Sequence, residues 1–137
     1  MPMKTIAILS PGDMGHAVGR VLGENGFRLV TCLLGRSERT RKLARNANIE
    51  DLPSLEKLAL ESDLILSIVP PADAIDLATQ MADAIRNTRS NVYYADCNAV
   101  SPQTVKNIDR IISSSGGRFI DASIIGSPPG KGEPPRF

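Results

Sequence analysis

The chain has 137 residues, of which 42% are hydrophobic and 23% charged, with a formal net charge of +1. That is the length of one domain able to enclose a core, and the near-neutral balance lacks the basic excess of a nucleic-acid-binding protein. The longest apolar runs, Ile6 to Leu9 and Leu64 to Val69 with one serine inside, are too short to span a bilayer, so neither nucleic acid nor membrane is an expected partner. Met1-Pro-Met-Lys4 leads directly into an apolar segment that reads as the first strand, so no secretory signal is visible and the cytoplasm is the expected location. Cys32 and Cys97 are isolated thiols and His16 is the single histidine, which predicts no disulfide and no metal site.

Taken in order, Ile6 to Leu9 suits a strand covered on both faces, and Gly12, Gly15 and Gly19 follow at once. This is the layout of a phosphate cradle: Gly12 admits a ligand to the backbone, Gly15 lets the new helix pack on the strand, and free helix N–H groups face an anion. The dinucleotide fingerprint asks for Gly-x-Gly-x-x-Gly, whereas the chain reads Ser10-Pro11-Gly12-Asp13-Met14-Gly15, so the first glycine is missing. Taken alone, the same residues also fit an ordinary strand-turn-helix.

Met14, Val18, Val21 and Leu22 recur at helical spacing, predicting a helix from about Asp13 to Asn25 that Gly26 stops. Phe27 to Leu34 is a second strand, followed by a helix that Ser37 can cap and that runs to about Ala47. Asn48 to Pro53 holds a short edge strand around Ile49, and Leu55, Leu58 and Ala59 mark a brief helix ending near Glu61. Asp63 to Val69 is a buried strand closed by Pro70-Pro71, and Ile75, Ala78, Met81, Ala82 and Ile85 form the apolar stripe of the next helix. Val92 to Asp96 is a strand; Ser101 and Pro102 open a helix carrying Val105, Ile108, Ile111 and Ile112; Gly116-Gly117 ends it, and Arg118 to Asp121 is the last strand. Strict alternation of strand and helix predicts an α/β fold with a doubly wound, Rossmann-like parallel sheet in three layers. Residues 1–126 then form a dinucleotide-binding domain, and the Gly/Pro-rich residues 127–137 a tail or linker.

In such a sheet the ligand lies at the carboxyl ends of the strands, which here read Ser10-Pro11-Gly12-Asp13-Met14-Gly15, Gly35-Arg36-Ser37, Val69-Pro70, Asp96-Cys97-Asn98-Ala99 and Asp121-Ala-Ser-Ile-Ile-Gly126. Together they resemble the cofactor domain of the β-hydroxyacid dehydrogenases, related to 6-phosphogluconate dehydrogenase. That group carries a Gly-x-Gly-x-Met-Gly turn, an Asn-Arg-Thr-like segment, a Leu-Pro strand end, an Asp-x-Ser-Thr segment and an Asp-Ala-Pro-Val-Ser-Gly-Gly segment in this order. The chain resembles a divergent branch: Ser10 replaces the first glycine, Asn98-Ala99 replaces Ser-Thr, and Ile125 stands where the group has a serine for a substrate carboxylate. The resemblance also implies a second, helical domain with a catalytic lysine. The sequence ends before any such segment, and Lys131 in the tail matches no family lysine, so the helical domain is expected to be absent and no catalytic residue is assigned.

The implied function is the NADP-binding domain of an oxidoreductase that transfers a hydride between the nicotinamide and a small hydroxyacid, ketone or imine, with a homodimer expected for a full-length enzyme. The alternative is a non-catalytic NADPH-binding module. The cofactor residues implied are Ser10, Pro11, Gly12, Asp13, Met14, Gly15, Arg36, Ser37, Val69, Pro70 and Asn98, with Asn98, Ile124, Ile125 and Gly126 near a substrate. NADP is favoured over NAD because the second strand ends in Leu34-Gly35 rather than in an acidic residue, and Arg36 with Ser37 can pair with a 2′-phosphate. Asp13 fits a helix start, where a negative charge is stabilised, and Met14 fits a core position as well as the family one. The Asn98 amide can meet a ribose or substrate oxygen, or merely open a turn.

Overall fold

The computed structural model describes residues 4–9, 13–32, 38–69, 71–98 and 101–121. In chain order these form β1 (Thr5–Leu9), α1 (Asp13–Glu24), β2 (Arg28–Thr31), α2 (Glu38–Asn46), β3 (Glu50–Asp51), α3 (Leu55–Glu61), β4 (Leu64–Ser67), a 3-10 turn (Pro71–Asp73), α4 (Ala74–Thr88), β5 (Tyr93–Asp96), α5 (Pro102–Ser115) and β6 (Arg118–Asp121). The six strands form one sheet in the order β3-β2-β1-β4-β5-β6, and every neighbouring pair is parallel. This is the doubly wound, Rossmann-like arrangement.

Period-2 alternation divides the strand side chains between two cores. Ala7, Leu9, Val30, Cys32, Ile65 and Tyr94 pack with α3, α4 and α5 residues such as Leu58, Leu77, Met81, Ile85, Ile108 and Ile112. On the opposite face Ile6, Ile8, Leu29, Leu66, Ala95 and Cys97 pack with Val18 of α1 and Ala44 of α2. All five residues of β1 are buried, as expected for a strand paired on both sides and covered on both faces.

Four helices stop at a residue with positive φ: Gly26 at 91° after α1, Asn48 at 59° after α2, Arg89 at 55° after α4 and Gly116 at 102° after α5. The two glycines lie where the sequence predicts them. Arg89 carries no such signal, yet its N–H and that of Ser90 close the helix on Arg86 and Ile85 carbonyls at 3.3 and 3.2 Å. Ser101 caps α5, its hydroxyl accepting from the Thr104 N–H at 3.2 Å.

Two expectations are corrected in detail. The third strand is not centred on Ile49 but formed by Glu50 and Asp51, both exposed, because Ile49 turns its side chain into the core against Gly19 of α1. The α4 stripe is carried by Ala74, Leu77, Ala78, Met81, Ala82 and Ile85, whereas Ile75 is 39% exposed. At that point of the helix Ala74 takes the inward position and turns Ile75 outward.

The amino ends of the strands are held by charge. The Asp63 carboxylate accepts from the backbone N–H groups of Lys4 and Thr5 at 2.9 and 3.0 Å, and these bonds hold its pKa below the usual range. Arg28 grips both oxygens of Glu50 at 3.1 Å and reaches Glu61 at 3.0 Å, joining the start of β2 to β3 and to the end of α3.

A Cβ on Gly19 would lie 2.9 Å from Cδ1 of Ile49 and 3.4 Å from Cδ1 of Leu29, so Gly19→Val should lower unfolding free energy in urea by about 1–3 kcal/mol, the range for overpacking. Asp63→Asn should lower the melting temperature at pH 7 by roughly 1–4 °C, allowing for the exposure of the site. Because the folded pKa is depressed, that stabilisation is present above the unfolded value of about 3.9 and lost as pH falls through the folded value. Melting curves of the two proteins should therefore converge in acid.

Candidate functional site

The chain winds outward from β1 to β2 and β3, then returns to β4 on the other side of β1 and continues to β5 and β6. The reversal leaves a crevice between the carboxyl ends of β1 and β4, where the following connections diverge. Leu9 ends β1, and the helix at this switch point is α1, which begins at Asp13 and spans 12 residues. Its free N–H groups and positive dipole end lie at the carboxyl edge of the sheet, a setting that favours an anion. Asp13, Met14 and Gly15 occupy its first turn. Ser10, Pro11, Gly12, Arg36, Ser37, Pro70, Ile124, Ile125 and Gly126 lie outside the described residues.

On the side of β1 toward β2, a cavity of about 290 Å³ is lined by Leu9, Cys32, Ser54, Leu55, Glu56, Leu77 and Gln80. It combines an apolar floor from the ends of β1 and β2 with polar groups from α3 and α4. Its volume lies at the lower edge of the ~300–1,000 Å³ usual for small-molecule sites, a size for one ring system of a dinucleotide rather than the whole.

On the other side of β1, the ends of β4 and β5 are joined by a buried polar cluster that the sequence reading found only in part. Asn98 is 6% exposed. Its Oδ1 accepts from the Val69 N–H at 2.8 Å, its Nδ2 donates to Oγ of Ser67 at 3.2 Å, and its own N–H donates to Oδ1 of Asp96 at 2.9 Å. The structure thus brings together two of the implied cofactor residues, Val69 and Asn98, and adds Ser67 and Asp96. The signal for Ser67 was the lone hydroxyl inside the apolar run Leu64 to Val69, a polar atom that burial obliges to find a partner.

Ser67, Asp96 and Asp121 stand in register across β4, β5 and β6. Asp96 is 1% exposed, and its Oδ2 has no partner among the described residues. Burial raises its pKa, the bonds from Asn98 oppose the rise, and the facing Asp121 charge adds to it. Burial, with a smaller contribution from Asp96, pushes the Cys97 thiol up to about 12, so it is protonated at neutral pH and is no nucleophile. Tyr94 is likewise raised, first by burial, with the neighbouring Ser67 hydroxyl opposing. The two cysteines sit in opposite cores. Among the described residues no group of side chains could hold a metal ion, and no helix is long and apolar enough to cross a membrane.

The residues present fit a dinucleotide at this edge: a ring-sized cavity over β1 and β2, a helix N-terminus at the switch point, and a rigid polar wall at β4 and β5. Known proteins resemble this chain over most of its length. A protein of Methanothermus fervidus described as an uncharacterized 28.5 kDa protein in the 7S RNA 5′ region is 33% identical over 96 residues, 70% of this chain and 36% of that one. Mitochondrial 3-hydroxyisobutyrate dehydrogenase of Drosophila melanogaster is 27% identical over 129 residues, 93% of this chain and 38% of that one. A solved structure of a conserved protein of unknown function, described as similar to 3-hydroxyacid dehydrogenases, superposes with a TM-score of 0.81 at 28% identity, covering 93% of this chain and 46% of that one. The chain therefore spans less than half the length of these relatives. Residues 5–134 match the family described as the NAD binding domain of 6-phosphogluconate dehydrogenase, and the chain belongs to that family.

Proposed function

We propose that the chain binds NADP as the cofactor domain of an oxidoreductase acting on a small hydroxyacid, ketone or imine, with the substrate held near Asn98 and Ile124 to Gly126. The observation that carries the reading is the juxtaposition at the switch point of the α1 N-terminus with a ring-sized cavity on one side and the Asn98 cluster on the other. The bound nicotinamide supplies the hydride-transfer chemistry, and the chain binds and orients it. The first turn of α1 would receive the pyrophosphate, with Gly12 permitting close approach to the backbone and Gly15 close packing of the helix on β1. The cavity at Leu9, Cys32 and Leu77 would take the adenine ring. Arg36 and Ser37, which follow β2 in sequence, would pair with the 2′-phosphate, and Val69, Pro70 and Asn98 would border the nicotinamide half. A cytoplasmic location, and a homodimer in a full-length enzyme, accompany this reading.

Titration with NADPH and NADH, followed by nicotinamide fluorescence, tests it. NADPH should bind at least roughly tenfold tighter than NADH, the scale of one charge-assisted contact to phosphate, and Arg36→Ala should remove that preference. Absence of binding by either would refute the cofactor assignment. Tighter binding of NADH would refute the role of Arg36 alone.

A further inference from the structure

Both ends of the Asn98 amide bond within the protein, which gives it a role beyond that of a ligand contact. The last backbone rung between β4 and β5 runs from the Cys97 N–H to the Ser67 carbonyl at 3.1 Å. Beyond it, one side chain holds two points of the departing strand: Oδ1 of Asn98 accepts from the Val69 N–H, and Nδ2 donates to the Ser67 hydroxyl oxygen. The Asp96 carboxylate in turn fixes the Asn98 backbone. A planar amide presents a donor and an acceptor side by side and can bridge two groups on one strand.

We infer that Asn98 is a positioning residue: by clamping Ser67 and Val69 it fixes the β4 wall of the crevice, against which the nicotinamide half of the cofactor is oriented. The inference rests on the cofactor reading above. It also makes the effect one-sided. The ring-sized cavity lies over β1 and β2, and β2 and β5 are three strand spacings apart, roughly 14 Å at about 4.8 Å each. Loss of the clamp frees the end of β4 and leaves the adenine half of the site intact.

The test compares NADPH with 2′-phospho-ADP-ribose, which carries the adenine half and lacks nicotinamide. In Asn98→Ala the Kd for NADPH should rise about 5–10-fold while that for the fragment stays within about twofold, since the variant removes two hydrogen bonds and orphans a half-buried N–H. Amide exchange at Val69 should accelerate while the interior of β4 keeps its protection. Should Asn98→Ala fail to fold, Ser67→Ala, which removes only the Nδ2 partner, should give the same asymmetry at about 2–3-fold. Equal weakening of both ligands, or of neither, by a folded variant overturns the inference and leaves the cofactor reading standing. Failure of the wild-type chain to bind either ligand overturns the cofactor reading, and the exchange rate at Val69 still reports whether the clamp exists.

Discussion

Everything at the functional edge depends on β1 being hydrogen-bonded on both sides and buried on both faces. A strand in that position can have its successors only to one side at a time, so the chain must wind away, return and wind the other way. The crevice is the geometric residue of that reversal, and α1 is the helix that happens to start there. The apolar run Ile6 to Leu9 therefore does more than fill the core: it determines where the strand order reverses. The hydrogen bonds from Lys4 and Thr5 to Asp63 secure the opposite end of the same strand against the start of β4. Register at the amino end and aperture at the carboxyl end are thus two consequences of one pairing.

The division into two cores explains why the polar cluster at β4 and β5 is tolerated. Ser67 pairs in register with Leu9 and with Asp96, and Ile65 and Tyr94, two residues earlier on the same face, belong to the core covered by α3, α4 and α5. There a buried polar group can be held by other protein groups without opening a path to water. Asn98 satisfies Val69 and Ser67 through its side-chain amide and one oxygen of Asp96 through its backbone N–H, so one residue removes most of the penalty that these polar groups would incur. The unpartnered Oδ2 of Asp96 is what remains, and its raised pKa is the electrostatic expression of that remainder.

Much of the fold was legible because its signals are local. The unbroken run in β1, the glycine at position 26, the serine and proline at 101 and 102, and the alternation of periods along the chain each act over a few residues. What escaped was set by tertiary context. Arg89 ends α4 without a glycine because the helix has crossed the sheet and its last carbonyls find N–H partners by turning back, a geometry no side-chain preference announces. Glu50 and Asp51 form a strand although neither favours one, since the pairing partner Val30-Thr31 is already in place. At the site, family-like strand ends pointed to Val69 and Asn98, but their mutual bond spans 29 positions in sequence and only the sheet brings it about. Ser67 and Asp96 were readable as buried polar residues, not as members of one cluster.

The limb formed by α2 and β3 differs from the rest of the molecule. Ala44 is the single buried side chain among those described in α2, and β3 is two exposed residues joined to the sheet at its edge. Such a limb has the least to lose by detaching, so it is a unit expected to open independently while the central strands stay closed. Any contact that ties this limb to the central strands would therefore stiffen this end of the sheet more than the rest.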